Sequence, residues 1–445
     1  MDKVLIVGAG GREASIAMRL AADCSVYAVM PHVNPTIEHY VIKTGGKYLV
    51  ASPSDAAAIA EFAQENTVSL AFVSADEPLA AGVVDALLAA GIRAVGPTRE
   101  GARIEWDKEF AMNFMRQHFP EVTPHYWVVN DDATLTVALA KVRDLDIEIV
   151  VKPQGLTGGK GVKVMGAHLA DLEAAGEYAR SLLRDRPAES VVLVEKIEGV
   201  EFTMMILTDG TSVIAPPATY DYPYRLDGDT GPGTGGMGSF SSGPDVLPFM
   251  SSADYDKCVE VSAGVVRILN EEGRHYNGVI NAGFFVTPNG VKFLEFNARF
   301  GDPECMNIMT VIDGSLLRLL KDIEQKNLTH KSIKFSGKAS VVKYLVTPEY
   351  ALQPARKHDF ALDVHALKKM GMNVFFSASV RKTPGIDAFE TVGNSRCVAL
   401  AASADDTQAA CDLIERGISE HFNGSLEWRR DVGNIAYIAS LSEHR

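Results

Sequence analysis

Several things are missing from this 445-residue chain, and each absence narrows the reading. No stretch approaches the roughly 18 apolar residues needed to span a bilayer. The opening apolar run, residues 4–7, breaks at Gly8 and is too short for a secretory core. Cysteine is scarce: Cys24, Cys258, Cys305, Cys397 and Cys411 include no C-x-x-C pair and no zinc spacing. An odd, scattered set reads as reduced thiols in a cytoplasmic protein. Cationic excess is absent too, with Lys+Arg 43 against Asp+Glu 57 and a net charge of -14. That excludes a nucleic-acid coat and an anionic membrane surface as partners, and any phosphate ligand needs locally placed cations. There is no internal repeat and no low-complexity linker. A composition of 47% hydrophobic and 22% charged residues is that of a folded globular chain.

What is present first is alternation. Strand signals over 4–7, 25–29, 70–73 and 93–95 alternate with helix signals over 12–22, from Ser54 as a cap through Phe62, and over 79–90. Short buried runs separated by helices predict a parallel, doubly wound sheet. From Glu148 the texture changes. A strand over 149–152 leads into a Gly-rich segment, followed by a helix over 172–183 and strands over 190–195 and 202–207. Residues 227–243 read as a Gly-rich loop and 255–271 as a helix. Residues 279–286 and 291–296 form a hairpin over Pro288-Asn289-Gly290. Residues 315–320 sit on another helix. After Lys334 a small α+β pattern follows, with strands over 339–346, 374–377 and 396–401 and a helix over 407–421.

Three segments carry chemistry. Gly8-Ala9-Gly10-Gly11-Arg12 follows a strand and opens a helix, so backbone N–H groups and the helix dipole face an anion. A dinucleotide fingerprint needs a third glycine where this chain has Glu13, and the alternative is a tight βα turn. Arg12 favours phosphate. The second segment, Leu156-Thr157-Gly158-Gly159-Lys160-Gly161-Val162, lies between strands with Lys152 on the first of them. It is no Walker loop; a Gly hairpin of this kind folds over a triphosphate while lysines neutralise its oxygens. An exposed hairpin with incidental lysines is the alternative. In the third, Glu295 and Asn297 stand two apart on one strand and face the same way. A carboxylate and an amide oxygen are hard ligands suited to Mg²⁺ that also binds phosphates, and Arg299 shares that face if the strand continues. A solvated strand face is the alternative.

Lys108, Lys152, the LTGGKGV hairpin, Glu195 with Glu201, and the EFNARFGDPE strand stand in ATP-grasp order. The chain resembles the phosphoribosylamine–glycine ligase family, marked by GxGGREHA, GPExPL, DTGPNTGGMG and EFNxRFGDPE. The matching segments are Gly8 to Ala14, Ser74-Ala75-Asp76-Glu77-Pro78-Leu79, Asp229-Thr230-Gly231-Pro232-Gly233-Thr234-Gly235-Gly236-Met237-Gly238, and the strand from Glu295 to Glu304. Arg430-Asp431-Val432-Gly433 is similar to the closing RxDIG. The resemblance covers essentially the whole chain.

It implies an N-terminal Rossmann-like domain over 1–103, an ATP-grasp domain over 104–335 with a lid subdomain at about 123–196, and a C-terminal α+β domain over 336–445. It implies a ligase joining glycine to phosphoribosylamine through a glycyl phosphate, with ATP and Mg²⁺ (or Mn²⁺). Lys108, Lys152, Leu156, Thr157, Gly158, Gly159, Lys160, Glu195, Ile197 and Glu201 would bind ATP, with Lys160 and Arg299 catalytic and Glu295 and Asn297 on the metal. Gly10, Gly11, Arg12, Asp76 and Glu77 would take phosphoribosylamine. Asp229, Gly231, Thr234, Gly235, Gly236, Asp302 and Glu304 would enclose glycine. The expected assembly is a cytoplasmic monomer or weak homodimer. Four positions depart from the family pattern: Ala14 for His, Ser74-Ala75-Asp76 for GPE, Gly233 for Asn, and Tyr222-Pro223-Tyr224-Arg225 for a polar pair. They keep open an ATP-grasp ligase of different specificity, or a catalytically silent nucleotide-binding homologue. A Rossmann dehydrogenase would leave most of the chain unexplained.

Overall fold

Strand β1 (Lys3–Val7) is buried from Val4 to Val7, as a parallel strand covered on both faces must be. It pairs in parallel with β2 (Ser25–Met30) on one side and β4 (Leu70–Phe72) on the other, while β3 (Tyr48–Val50) and β5 (Ala94–Val95) close the edges. The order β3-β2-β1-β4-β5 reverses direction between β1 and β4. Ligand crevices open at the carboxyl ends of strands at such a reversal. The glycine turn after β1 and Asp76 after β4 both lie there. The structure is a computed structural model describing residues 1–155 and 161–444; Leu156, Thr157, Gly158, Gly159 and Lys160 lie outside the described residues.

Two local expectations are corrected. Asp55, not Ser54, caps the helix Ala56–Glu65, its carboxylate accepting from the Ala58 N–H at 3.1 Å. The helix expected over 79–90 is two, Asp76–Ala80 and Val83–Ala89, parted by Gly82 at φ 78°. A left-handed residue ends one helix and lets the next start at a new angle.

Residues beyond 105 build two antiparallel sheets facing each other across a cleft. One joins Tyr126–Val129, Val191–Glu195, Ile149–Pro153 and Lys163–Val164, under the helices Asp132–Leu145 and Leu172–Asp185. Its core, including Leu135, Val142, Ile149, Val151 and Leu193, is separate from the main one. The other joins Val213–Ile214, Val200–Thr208, Gly278–Thr287 and Gly290–Asn297. The expected hairpin over Asn289-Gly290 is its last pair.

The segment expected to be loop, 227–243, holds two strands. Thr230–Gly233 pairs with Tyr224–Leu226, and Gly238–Ser242 pairs with Ala339–Leu345. The Gly/Ser composition hid the second strand. Its small residues serve close packing: a Cβ at Gly238 would lie 2.4 Å from the Val342 carbonyl oxygen. The sheet so formed runs Tyr220–Asp221, Gly238–Ser242, Ala339–Leu345, Val398–Ala404, Asn373–Phe376. Backbone hydrogen bonds therefore cross the division expected at 335/336, which carries C-terminal residues up to the cleft.

Candidate active site

A cleft of about 410 Å³ opens where the N-terminal sheet, the two central sheets and the C-terminal region meet. Its floor is one face of the sheet ending in Gly290–Asn297. Thr203 pairs with Gly283, which pairs with Glu295, and Asn281 pairs with Asn297. Strand period two then puts Glu201, Thr203, Asn281, Gly283, Glu295 and Asn297 on the same face, and all six line the cleft.

Lysines stand at one end. Lys108 opens the helix Lys108–His118 and donates to the Gly155 carbonyl at 2.5 Å. Lys152, on Ile149–Pro153, is buried with its Nζ 3.5 Å from the Leu294 carbonyl. Burial lowers the Lys108 pKa, and Glu295 pulls against that. Glu195 is not among the residues lining the cleft; it accepts from the His125 backbone N–H at 3.0 Å and from His125 Nδ1 at 2.9 Å. Ile197, just beyond that strand, is half-buried.

At the N-terminal side, Gly10 caps α1 (Gly11–Leu20) and donates its N–H to Glu13 Oε2 at 2.8 Å. Arg12 Nε donates to Glu13 Oε1 at 2.6 Å and its Nη1 to the Phe300 carbonyl at 3.1 Å. The chain's own Glu13 thus sits on the helix N-terminus, where a negative charge is favoured. Burial pulls the Arg12 pKa down, but Glu13, Asp76 and Asp302 outweigh it and raise the net value. Burial pushes Asp76 up, and Arg299 and Arg12 outweigh it, so its carboxylate titrates below the usual range. Gly11 is tightly packed, since a Cβ there would lie 2.3 Å from the Tyr344 hydroxyl. Glu77 is exposed and lies outside the cleft lining.

The third end gathers Thr234, Gly235, Arg299, Asp302 and Glu304. Arg299 donates from Nη2 to Asn297 Oδ1 at 2.9 Å and places Nε 3.3 Å from Glu105 Oε1. Asp302 accepts from the Tyr344 hydroxyl at 2.7 Å, and Glu304 from the Thr203 hydroxyl at 3.2 Å. Asp229 faces elsewhere, accepting from Arg429 Nη1 at 2.8 Å and from the Tyr437 hydroxyl. Gly231 lies in Thr230–Gly233. Gly236, at φ 95°, presses on Pro303: a Cβ there would lie 2.6 Å from Pro303 Cδ.

Four cleft residues carry no sequence signal of their own. Glu105 accepts from the Ala298 N–H at 2.8 Å, and burial pushes its carboxyl up to about 7 against the pull of Arg299. Arg396 reaches in from the C-terminal region, its Nη1 bonding the Asp302 carbonyl at 2.6 Å and the carbonyls of Gly235 and Gly236. Asp221 and Asn281 complete the set. Glu105 lies close to Lys108 in sequence. Arg396 lies 94 residues from Asp302, and no local pattern links them.

A divalent ion fits this donor set. Burial and then the charge of Glu295 push Glu201 up to about 7, so two facing carboxylates share too little positive charge. Among the described residues no three His, Cys, Asp or Glu side chains form a ligand set by themselves. Glu295 and Asn297 supply two hard oxygens, the number typical of Mg²⁺ held jointly with phosphates.

The phosphoribosylglycinamide synthetase N-domain model matches residues 2–105, and the model of the ATP-grasp (A) domain of the same synthetase matches residues 106–305. The chain belongs to the phosphoribosylglycinamide synthetase family. A phosphoribosylamine–glycine ligase of Methanothermobacter thermautotrophicus is 37% identical over 99% of this chain and 98% of its own length. One from Methanosarcina barkeri is 36% identical over 99% and 98%. Among solved structures, the phosphoribosylamine–glycine ligase of Thermotoga maritima superposes with a TM-score of 0.78 at 22% identity, covering 96% of this chain and 99% of the other. A biotin carboxylase from Campylobacter jejuni, solved with an ATP analogue, gives 0.72 at 14% identity, covering 100% and 98%. These two are likenesses of fold.

Proposed function

We propose that the protein joins glycine to 5-phosphoribosylamine at the expense of ATP, giving glycinamide ribonucleotide, ADP and phosphate. The observation that carries this reading is the continuity of the cleft. Lysines with a metal-competent pair, an arginine-lined N-terminal pocket and an arginine- and carboxylate-lined third end open into one cavity. A three-substrate ligase needs its triphosphate, acid and amine together in such a space.

Lys108 and Lys152, with Lys160 of the Gly-rich segment, neutralise the phosphates, and Glu201 and the backbone near Ile197 face the nucleoside. Glu295 and Asn297 hold Mg²⁺ (or Mn²⁺), which supplies charge neutralisation on the phosphate oxygens. Arg299 pairs with the glycine carboxylate and then with the acyl phosphate as charge grows on it. Thr234, Gly235, Asp302 and Glu304 wall the amino-acid end. Arg12 and Asp76, with the backbone of Gly10 and Gly11, orient the phosphoribosyl group. The glycine carboxylate takes the γ-phosphoryl group of ATP and ADP leaves; the phosphoribosylamine nitrogen then attacks the acyl carbon, loses a proton as the amide bond forms, and phosphate leaves. The enzyme acts in the cytoplasm as a monomer or weak homodimer.

The decisive experiment is phosphate release from ATP across amino acids, with and without freshly generated phosphoribosylamine. Release that requires both glycine and the amine is the expected result. Release with another amino acid only would replace this reading by a ligase of different specificity.

A further inference from the structure

The strand Asn373–Phe376 is the last in its five-stranded sheet and pairs with Val398–Ala404 on one side only. An edge strand leaves a row of backbone groups that must find other partners. Here the partners are side chains from the N-terminal region. Thr36 Oγ1 donates to the Val374 carbonyl at 3.2 Å and accepts the Phe376 N–H at 3.1 Å. Asn34 Nδ2 donates to the Phe376 carbonyl at 2.6 Å, and His32 Nε2 lies 2.9 Å from the Ser377 carbonyl. Three side chains of one short segment thus dock the C-terminal sheet onto the N-terminal region.

Asn34 makes a further bond that the other two do not. It is fully buried, and its amide uses every hydrogen-bonding position it has. The Oδ1 accepts from the N–H groups of Thr36 at 2.9 Å and Ile37 at 3.1 Å, capping the helix Pro35–Lys43. The Nδ2 group also donates to the Ala9 carbonyl at 2.8 Å, inside the glycine turn that leads into α1. Pro35 holds the Asn34 backbone extended, at φ -75° and ψ 123°, which fixes the aim of the amide. One planar amide therefore grips the Phe376 carbonyl with one proton and the Ala9 carbonyl with the other. The Tyr344 hydroxyl, from the same C-terminal sheet, stands against the next part of that turn at Gly11.

We infer that Asn34 is a positioning residue for the turn over residues 8–11, carrying the placement of the C-terminal sheet to the pocket for the amine substrate. That the amine binds at this turn rests on the ligase reading above. The turn then keeps its shape only while residues 373–376 are docked. Docking and positioning can be separated by substitution. Asn34→Asp keeps the cap, because a carboxylate caps as well as an amide, but both carbonyls lose their donor and face a negative oxygen. Asn34→Ser also caps and removes the donors without adding charge. Thr36→Val keeps shape and removes the hydroxyl bonds to Val374 and Phe376, yet leaves the Ala9 contact alone.

The test is steady-state kinetics of the full chain with MgATP, glycine and freshly generated phosphoribosylamine, beside amide exchange of the ligand-free protein. Asn34→Asp and Asn34→Ser should raise the KM for phosphoribosylamine about ten-fold or more and leave those for ATP and glycine unchanged. Thr36→Val should lower the melting temperature and leave every KM as in wild type. Amide exchange over residues 8–12 should quicken in Asn34→Ser and not in Thr36→Val. An equal rise in every KM, or a Thr36→Val effect on the amine as large as that of Asn34→Ser, would show that the contact serves docking only and would overturn the positioning role. An unchanged amine KM in both Asn34 variants would overturn it too. Should Asn34→Asp not fold, Asn34→Ser decides alone. Wild-type enzyme without amine-dependent phosphate release would overturn the ligase reading instead, and the exchange comparison would then decide for or against Asn34.

Discussion

Under the proposed function, Glu295 is the residue on which the phosphate chemistry would turn. Its carboxylate faces Glu201 and Lys108 from the centre of the cleft floor. Glu295→Ala should abolish ligation while leaving the melting temperature close to wild type, and it should erase any Mg²⁺-dependent stabilisation of the MgATP complex. Normal turnover would remove Glu295 from the site. Arg12 behaves differently because it is buried against Glu13. Arg12→Ala leaves the buried Glu13 carboxylate without its cation, with only the Gly10 N–H to bond it, which costs up to about 3–5 kcal/mol of stability. The KM for phosphoribosylamine should rise much more than that for ATP, and urea unfolding reads the stability cost separately. Glu105 gives a pH signature. Its folded pKa, about 7, lies above the ordinary 4.5. The folded state then binds more protons than the unfolded state between those values, so this group stabilises below about 4.5 and that contribution is lost as pH rises through about 7. Glu105→Gln should flatten that part of the stability–pH curve for the ligand-free protein.

The short strands around the glycine-rich segment are fastened at named points. Asp229 ties one end of this segment to Arg429 and to Tyr437 of the C-terminal helix Ile435–Leu441. Gly236 sits in the left-handed region against Pro303. Gly236→Ala adds both strain and a clash, so glycine KM should rise and the melting temperature fall. Tyr437→Phe removes only a hydroxyl from Asp229; it should weaken glycine binding by a small factor and leave ATP binding untouched. Equal effects on both substrates would show that the contact serves the fold at large. Ser74, one of the family departures, brings no charge here: its hydroxyl accepts the Phe300 N–H at 2.9 Å and so joins the segment after β4 to the segment after the strand Gly290–Asn297.

Over the whole molecule, one face of the sheet carrying Lys152 has its own small core, while Tyr126, Val192 and Val194 on the other face join the main one. A sheet tied to the main core through one face only should open at lower free energy than the rest. Amide exchange in Val191–Glu195 and Leu172–Asp185 should be faster than in β1 or Gly278–Thr287 without nucleotide, and should slow when MgATP is added. Equal protection in both states would contradict a hinged element. The five cysteines are all buried, and burial pushes the thiols of Cys24 and Cys397 up to about 12. Alkylation of the native protein should be slow, and unfolding should expose every thiol.

Local chemistry made much of this legible in the residues alone. The parallel sheet follows from buried runs between helices, the hairpin from Asn289-Gly290, and the shared face of Glu295 and Asn297 from strand period two. Each depends on contacts within a few residues. The strand Gly238–Ser242 was not legible, because its small residues have low strand preference and become a strand only against Ala339–Leu345. The same holds for the groups around the substrates. Glu195 and Asp229 belong to family motifs, yet their carboxylates turn to His125 and to Arg429 with Tyr437. Glu105, Asp221, Asn281 and Arg396 enter the cleft from separate sheets and helices, and their direction depends on how those elements pack. Sequence period sets which face of an element a side chain occupies, whereas only tertiary packing sets what that face meets.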